Sequence, residues 1–219
     1  MNITVHSLVT DFVLNDKIAA DFIPNLRHDT YTYIDPTKCN LEGQSVVLSG
    51  ASKGIGKATA ISYAKAGISA IVLLARSSLD SVEKEMIAAA QAANRPAPKV
   101  LTYKVDVTSQ AQVDAAAQDV EKQLGHIDIL INNAGSFEEC HPFHETKPDD
   151  WWWTWEVNIR GPYLLTRAFT PLLLKAGCGT IINVSSIGAH VMIPGGSAYH
   201  TSKVQALRSH TSPHGKSLC

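Results

Sequence analysis

Tyr199 and Lys203 stand four positions apart in Tyr199-His200-Thr201-Ser202-Lys203. In a helix that spacing puts a phenol and an ammonium on one face, a turn apart. A free tyrosine is too weak an acid to ionise at neutral pH. A fixed cation beside it favours the phenolate and moves its pKa toward the range of a general acid or base. Ser185 and Ser186 close the apolar run just before this segment, where their hydroxyls can face the same pocket. A phenol, a cation and a hydroxyl together suit proton transfer at an oxygen whose developing charge needs a hydrogen bond. The Tyr–Lys spacing is common by chance and gains weight only in company.

That company is Gly50-Ala51-Ser52-Lys53-Gly54-Ile55-Gly56, between an apolar run and a stretch of helix formers. Three glycines let the chain reverse tightly and bring its backbone against a pyrophosphate. They also aim the N–H groups and dipole of the next helix at the negative charge. A strand before and a helix after favour dinucleotide binding over a ligand-free turn. An NAD site would place Asp or Glu at the end of the second strand, to hold the ribose hydroxyls. Here Ala75-Arg76-Ser77-Ser78 stand there, and the next acid is Asp80. Arg76, Lys53, Ser52 and Ser77 offer positive charge and donors for a 2′-phosphate, so NADP is expected ahead of NAD.

The elements that must position these groups follow one rhythm. Apolar runs at 45–49, 70–75, 100–105, 127–131 and 180–184 read as strands apolar on both faces. Helices are expected at about 54–66, 78–93, 109–124, 148–175 and 198–209; Pro96 and Pro98 prevent the second from continuing. The alternation predicts an α/β fold, a Rossmann-type doubly wound parallel sheet in three layers. Residues 1–43 read as an N-terminal extension, with a short helix around 16–22. Residues 44–210 read as the dinucleotide-binding domain carrying the reactive groups, and 211–219 as a disordered tail.

Composition narrows the partners. The 219 residues carry a net charge of −1, with 45% hydrophobic and 18% charged residues, as in a globular protein. No run of one sign attracts a nucleic acid or an anionic membrane. Cys39, Cys140, Cys178 and Cys219 are scattered and form no disulfide framework. His141 and His144 flank Pro142 without an acidic or thiol cluster, so no metal is expected. Asp11 and Asp16 break the N-terminal apolar stretch, which lacks the basic start of a signal peptide; a cytoplasmic location is the expectation.

Ser49–Gly56 resembles the TGxxxGxG signature of the short-chain dehydrogenase/reductase family. Asn132-Asn133-Ala134-Gly135 is similar to its NNAG motif, and Asp106-Val107 to its adenine-contacting pair. The likeness covers roughly residues 44–207. It implies cofactor contacts from Gly50, Ser52, Lys53, Gly54, Ile55, Gly56, Arg76, Asp106, Val107, Asn133, Ala134, Gly135, Tyr199 and Lys203. It implies hydride exchange between a nicotinamide and a small carbonyl or alcohol substrate. Tyr199 would be the acid/base, and Lys203 would lower its pKa and hold the nicotinamide ribose. Ser186, thirteen residues before Tyr199, would take the substrate-binding role ahead of Ser185. Asn158, in Glu156-Val157-Asn158-Ile159-Arg160-Gly161, matches a helix asparagine that helps a water-linked proton relay reach the lysine.

Trp151, Trp152, Trp153 and Trp155 crowd the start of the 148–175 helix. They read as packing against neighbouring helices or against a subunit, since the family's corresponding helix often builds homodimers or homotetramers; a substrate-stacking platform is the other reading. The 136–147 segment is expected to shape specificity. After Leu207 the chain turns polar, where family members continue with further strands, a Pro-Gly turn and a substrate-covering segment. The expectation is a truncated chain whose fifth strand becomes an edge, with reduced stability and weak turnover; the alternative is a catalytically silent dinucleotide-binding fragment. An epimerase or dehydratase of the extended family is disfavoured, because its GxxGxxG spacing is absent.

Overall fold

The computed structural model of the chain describes residues 30–177, 179–190 and 194–208. In chain order these form β1 (Ser45–Ser49), α1 (Gly54–Lys65), β2 (Ala70–Ala75), α2 (Asp80–Ala92), β3 (Lys99–Lys104), α3 (Gln110–Leu124), β4 (Ile129–Asn132), α4 (Pro148–Trp155), a π turn (Glu156–Arg160), α5 (Gly161–Lys175), β5 (Thr180–Asn183) and α6 (Ser197–Arg208). All strand pairs are parallel, in the order β3-β2-β1-β4-β5. From β1 the chain winds outward through β2 to β3, then returns to lay β4 on the other side of β1. That reversal opens a crevice at the carboxyl ends of β1 and β4, where open α/β sheets bind their ligands.

The buried side chains explain why the strands read as continuous apolar runs. Val46, Leu48, Ile71 and Leu73 point to one face and pack on Ala60 and Ala64 of α1 and Met86 of α2. Val47, Val72 and Leu130 point to the other, against Val113 and Val120 of α3 and Phe169 and Leu173 of α5. Alternate residues therefore serve two cores, which a period of two makes necessary once both faces are covered. Phe169 is wholly buried, so truncating it to alanine would cost about 3–5 kcal/mol.

The doubly wound sheet agrees with the sequence expectation; several details depart from it. β3 is not apolar on both faces: Lys99, Thr102 and Lys104 are exposed, because among the described residues β3 is an outer strand. β4 starts two residues late. Asp128 turns its carboxylate to the N–H and hydroxyl of Ser45, at 2.7 and 2.9 Å, and fixes the approach before the ladder begins. The expected 148–175 helix is interrupted by the π turn, where the Gly161 N–H reaches back to the Glu156 carbonyl. Pro162 explains the slip, since it has no N–H to give to the Asn158 carbonyl one α-turn earlier. Gly161 is needed there too, because a Cβ would meet Val107 Cγ2 at 2.9 Å.

β5 is the other outer strand among the described residues, and Ile182 is exposed there. The helix expected around 16–22 and the tail expected from 211 lie outside the described residues. Among those described, no helix is long and apolar enough to cross a membrane.

Candidate active site

A cleft of about 730 Å³ opens at the carboxyl ends of β1, β2 and β4. Every residue that the sequence assigned to a dinucleotide lines it: the 50–56 loop at Gly50, Ser52, Lys53, Gly54, Ile55 and Gly56, then Arg76, Asp106, Val107, Asn133, Ala134, Gly135, Tyr199 and Lys203. Of the two remaining assigned residues, neither Asn158 nor Ser186 lines it.

The loop is glycine-rich for steric reasons. A Cβ on Gly56 would lie 2.2 Å from the Gly50 carbonyl oxygen, and one on Gly50, whose φ is +68°, would lie 2.8 Å from Ala134 Cα. Gly54, at φ +56°, faces open space. Lys53, just before α1, makes no side-chain cap, so the first N–H groups of that helix face the cleft without a side-chain partner. The loop is clamped by the segment that follows β4. Asn133 Nδ2 donates to the carbonyls of Ser49 and Gly50 at 2.9 and 3.2 Å. The wholly buried Ser49 Oγ accepts the N–H groups of Asn133 and Ala134 at 3.0 and 3.1 Å. Close-packed glycines, an uncapped helix start and two nearby cations, Lys53 and Arg76, fit a nucleotide pyrophosphate.

At the other end of the cleft, α6 carries both members of the Tyr–Lys pair. Lys203 Nζ lies 5.5 Å from the Tyr199 ring centroid and donates to the Val184 carbonyl at 3.0 Å. Lys203 is buried, and that desolvation lowers its pKa below the usual lysine value. Gly135 lies beside both groups: an added Cβ would be in ordinary contact with the ammonium at 3.7 Å and with Asn158 Oδ1 at 3.4 Å.

Asn158, buried in the π turn, uses both ends of its amide. Oδ1 accepts the Ser136 N–H at 2.8 Å, while Nδ2 donates to the Ser136 carbonyl at 2.9 Å and to Ser202 Oγ at 3.0 Å. It ties the loop after β4 to α6. Ser185 lines the cleft, yet its hydroxyl is spent on the Lys203 carbonyl at 3.0 Å. Ser186 Oγ accepts the Gly188 N–H at 3.1 Å. The short turn that follows Ser186 is held to α6 by His200 Nδ1, 2.8 Å from the Gly188 carbonyl.

Sequence reasoning passed over Glu138 and Ser49. The buried Glu138 carboxylate accepts the N–H of Ala198 at 2.7 Å and of Tyr199 at 2.9 Å, capping α6 from sixty residues away. Phe137 beside it sets its ring 4.6 Å from that of Tyr199. Within the sequence, the one hint was that Gly195-Gly196 gives α6 no N-capping side chain of its own. None of the four tryptophans lines the cleft. Trp151 instead donates from Nε1 to Ser197 Oγ at 3.0 Å, and packs α4 on α6.

Known proteins carry the same pattern. The family model for short chain dehydrogenase matches residues 44–213. The short chain dehydrogenase mpl6 of Monascus purpureus is 49% identical over 187 residues, covering 85% of this chain and 64% of that protein. The 3-oxoacyl-[acyl-carrier-protein] reductase FabG of Thermotoga maritima is 34% identical over 168 residues, covering 76% and 65%. The chain thus spans a little under two thirds of the length of these relatives. Among solved structures, a metagenomic short-chain oxidoreductase in complex with NADP superposes with a TM-score of 0.69 at 36% identity, covering 77% of this chain and 72% of that one. Carveol dehydrogenase from Mycobacterium avium in complex with NAD shares the fold, at a TM-score of 0.68 and 23% identity, covering 78% and 64%.

Proposed function

The chain belongs to the short-chain dehydrogenase family, and from that premise we propose that it binds NADP(H) and serves hydride transfer between the nicotinamide and a small carbonyl or secondary-alcohol substrate. The observation that carries this reading is a shared cleft: the glycine loop at one end, Tyr199 and Lys203 at the other.

A nicotinamide held in the cleft would supply or accept the hydride at the carbonyl carbon. Tyr199 gives its phenolic proton to the carbonyl oxygen as the hydride arrives, or takes it back in the oxidative direction. Lys203 stabilises the phenolate left behind and holds the ribose hydroxyls. Ser186 does not itself line the cleft, but its Oγ accepts from Gly188, which leaves its O–H to donate to a substrate oxygen brought to the Tyr199 end and to stabilise developing charge. Asn158 assists the relay to Lys203 by fixing Ser136 and Ser202 around it.

NADP is preferred over NAD on charge. Arg76 and Lys53 line the cleft at its loop end, and no carboxylate ends β2 to receive ribose hydroxyls. The metagenomic short-chain oxidoreductase solved with NADP is 36% identical to this chain. A homodimer or homotetramer through the long helix is part of this reading, supported by the exposed Trp152 and Tyr163 on α4 and α5.

The test is a screen of ketones and secondary alcohols that follows reduced-cofactor absorbance, with Tyr199→Phe beside the parent chain. The variant should bind NADPH as the parent does and lose turnover by a factor of about 10²–10⁴. Turnover that survives Y199F sinks the assignment of Tyr199. NADPH binding with no turnover on any substrate would leave a dinucleotide-binding module.

A further inference from the structure

Three of the four tryptophans at the start of the long helix have a packing role. Trp151 and Trp155 lie together, with centroids 5.7 Å apart, and Trp151 bonds Ser197 on α6. Trp152 donates to Glu156 Oε1 at 3.2 Å. Trp153 does something else: the guanidinium carbon of Arg76 sits 5.8 Å from its ring centroid, within cation–π range. Trp153 stands four residues before Val157, and Val157 lines the cleft. The same helix face therefore reaches from the cleft wall to the end of β2.

We propose that Trp153 is a coenzyme-specificity residue, which pre-positions Arg76 to receive the 2′-phosphate of NADP(H); this rests on the NADP reading above. Arg76 is an exposed side chain that lines the cleft, and its contact among the described residues is with the Trp153 ring rather than with a carboxylate. An aromatic ring engages a guanidinium through its flat face. A cation–π contact uses none of the guanidinium N–H groups as hydrogen-bond donors, so they stay available for a bidentate contact with a phosphate. A guanidinium parked on Trp153 has already given up much of the rotamer freedom that phosphate binding would otherwise remove. NAD(H) lacks the 2′-phosphate and draws nothing from Arg76, so the benefit is confined to one of the two coenzymes.

The experiment is fluorescence titration of the full chain with NADPH and, separately, with NADH, for the parent, Trp153→Ala, Trp153→Phe, Arg76→Ala and the double variant. W153A should weaken NADPH by about three- to tenfold and leave NADH within twofold, with W153F between W153A and the parent. In the Arg76→Ala background, W153A should change NADPH affinity no further. Equal weakening of both coenzymes by W153A, or an unchanged NADPH affinity while R76A loses it, overturns the proposal and leaves the role of Arg76 intact. An R76A variant that keeps the parent ratio of NADPH to NADH affinity overturns the NADP reading itself, and this proposal with it. A variant whose melting shows that it has not folded is replaced in the comparison by W153F, which keeps an aromatic ring in place.

Discussion

The Glu138 carboxylate accepts the main-chain N–H of Tyr199 at 2.9 Å, so the helix that presents the phenol starts on a side chain supplied by the loop after β4. The first N–H groups of a helix need partners, and a carboxylate also complements the positive end of the helix dipole. Ala198 and Tyr199 have no nearer capping group, because two glycines and Ser197 precede them. Glu138 thus ties the rim of the cleft to the turn of α6 that carries Tyr199.

Glu138→Ala should therefore destabilise the chain by about 2 kcal/mol, since it leaves buried donors unpaired. Glu138→Gln keeps an acceptor oxygen of the same reach and should recover at least half of that loss. Denaturant unfolding of the three chains checks both statements. A Glu138→Ala chain as stable as the parent would mean that α6 finds its cap elsewhere.

Burial lowers the Lys203 pKa, and this fixes the sign of a pH effect. Between the lowered folded-state value and the ordinary unfolded one, the unfolded chain holds the extra proton. Stability therefore rises with pH in that window as the cost of burying the ammonium disappears. The parent should gain on Lys203→Met between neutral pH and about pH 10, where free lysine titrates. The lost bond to Val184 is the same at both pH values, and the raised tyrosines Tyr63 and Tyr103 are present in both chains, so neither enters the change in the difference. Unfolding free energies of both chains at the two pH values give the slope; a constant difference would show that Lys203 is not desolvated.

Much of this was legible because the signals are local. β1 and β2 are buried end to end and read as apolar runs, and the glycines of the 50–56 loop stand where only hydrogen fits. Helical spacing put Tyr199 and Lys203 on one face, and the glycine loop gave that spacing its weight. What stayed hidden depends on partners distant in sequence. Asp128 reaching Ser45 delays β4, and the outer position of β3 lets water onto Lys99 and Lys104. Glu138 has no sequence mark of a cap, since its partners lie sixty residues on. Ser185 and Ser186 are chemically alike, and only the fold reveals that one serves Lys203 and the other Gly188.

Gly54→Ala and Gly56→Ala should separate two reasons for a glycine in one loop. At Gly54 the obstacle is conformational: φ is +56°, but no atom lies within 4 Å of an added Cβ. The cost should be about 1–2 kcal/mol, the usual charge for an L-residue in the left-handed region. At Gly56 the obstacle is contact, because the new methyl carbon would sit 2.2 Å from the Gly50 carbonyl oxygen and 2.6 Å from Asn133 Nδ2. Neither can retreat. Gly50 is wedged against Ala134, and Asn133 clamps the carbonyls of Ser49 and Gly50. Gly56→Ala should thus cost about 3 kcal/mol or more, at the upper end of overpacking, and should lower NADPH affinity more than Gly54→Ala does. Unfolding and NADPH titration of both variants decide it. Equal penalties, or a Gly56→Ala chain that binds as tightly as the parent, would mean that the loop is not held against Ala134 and Asn133 as described.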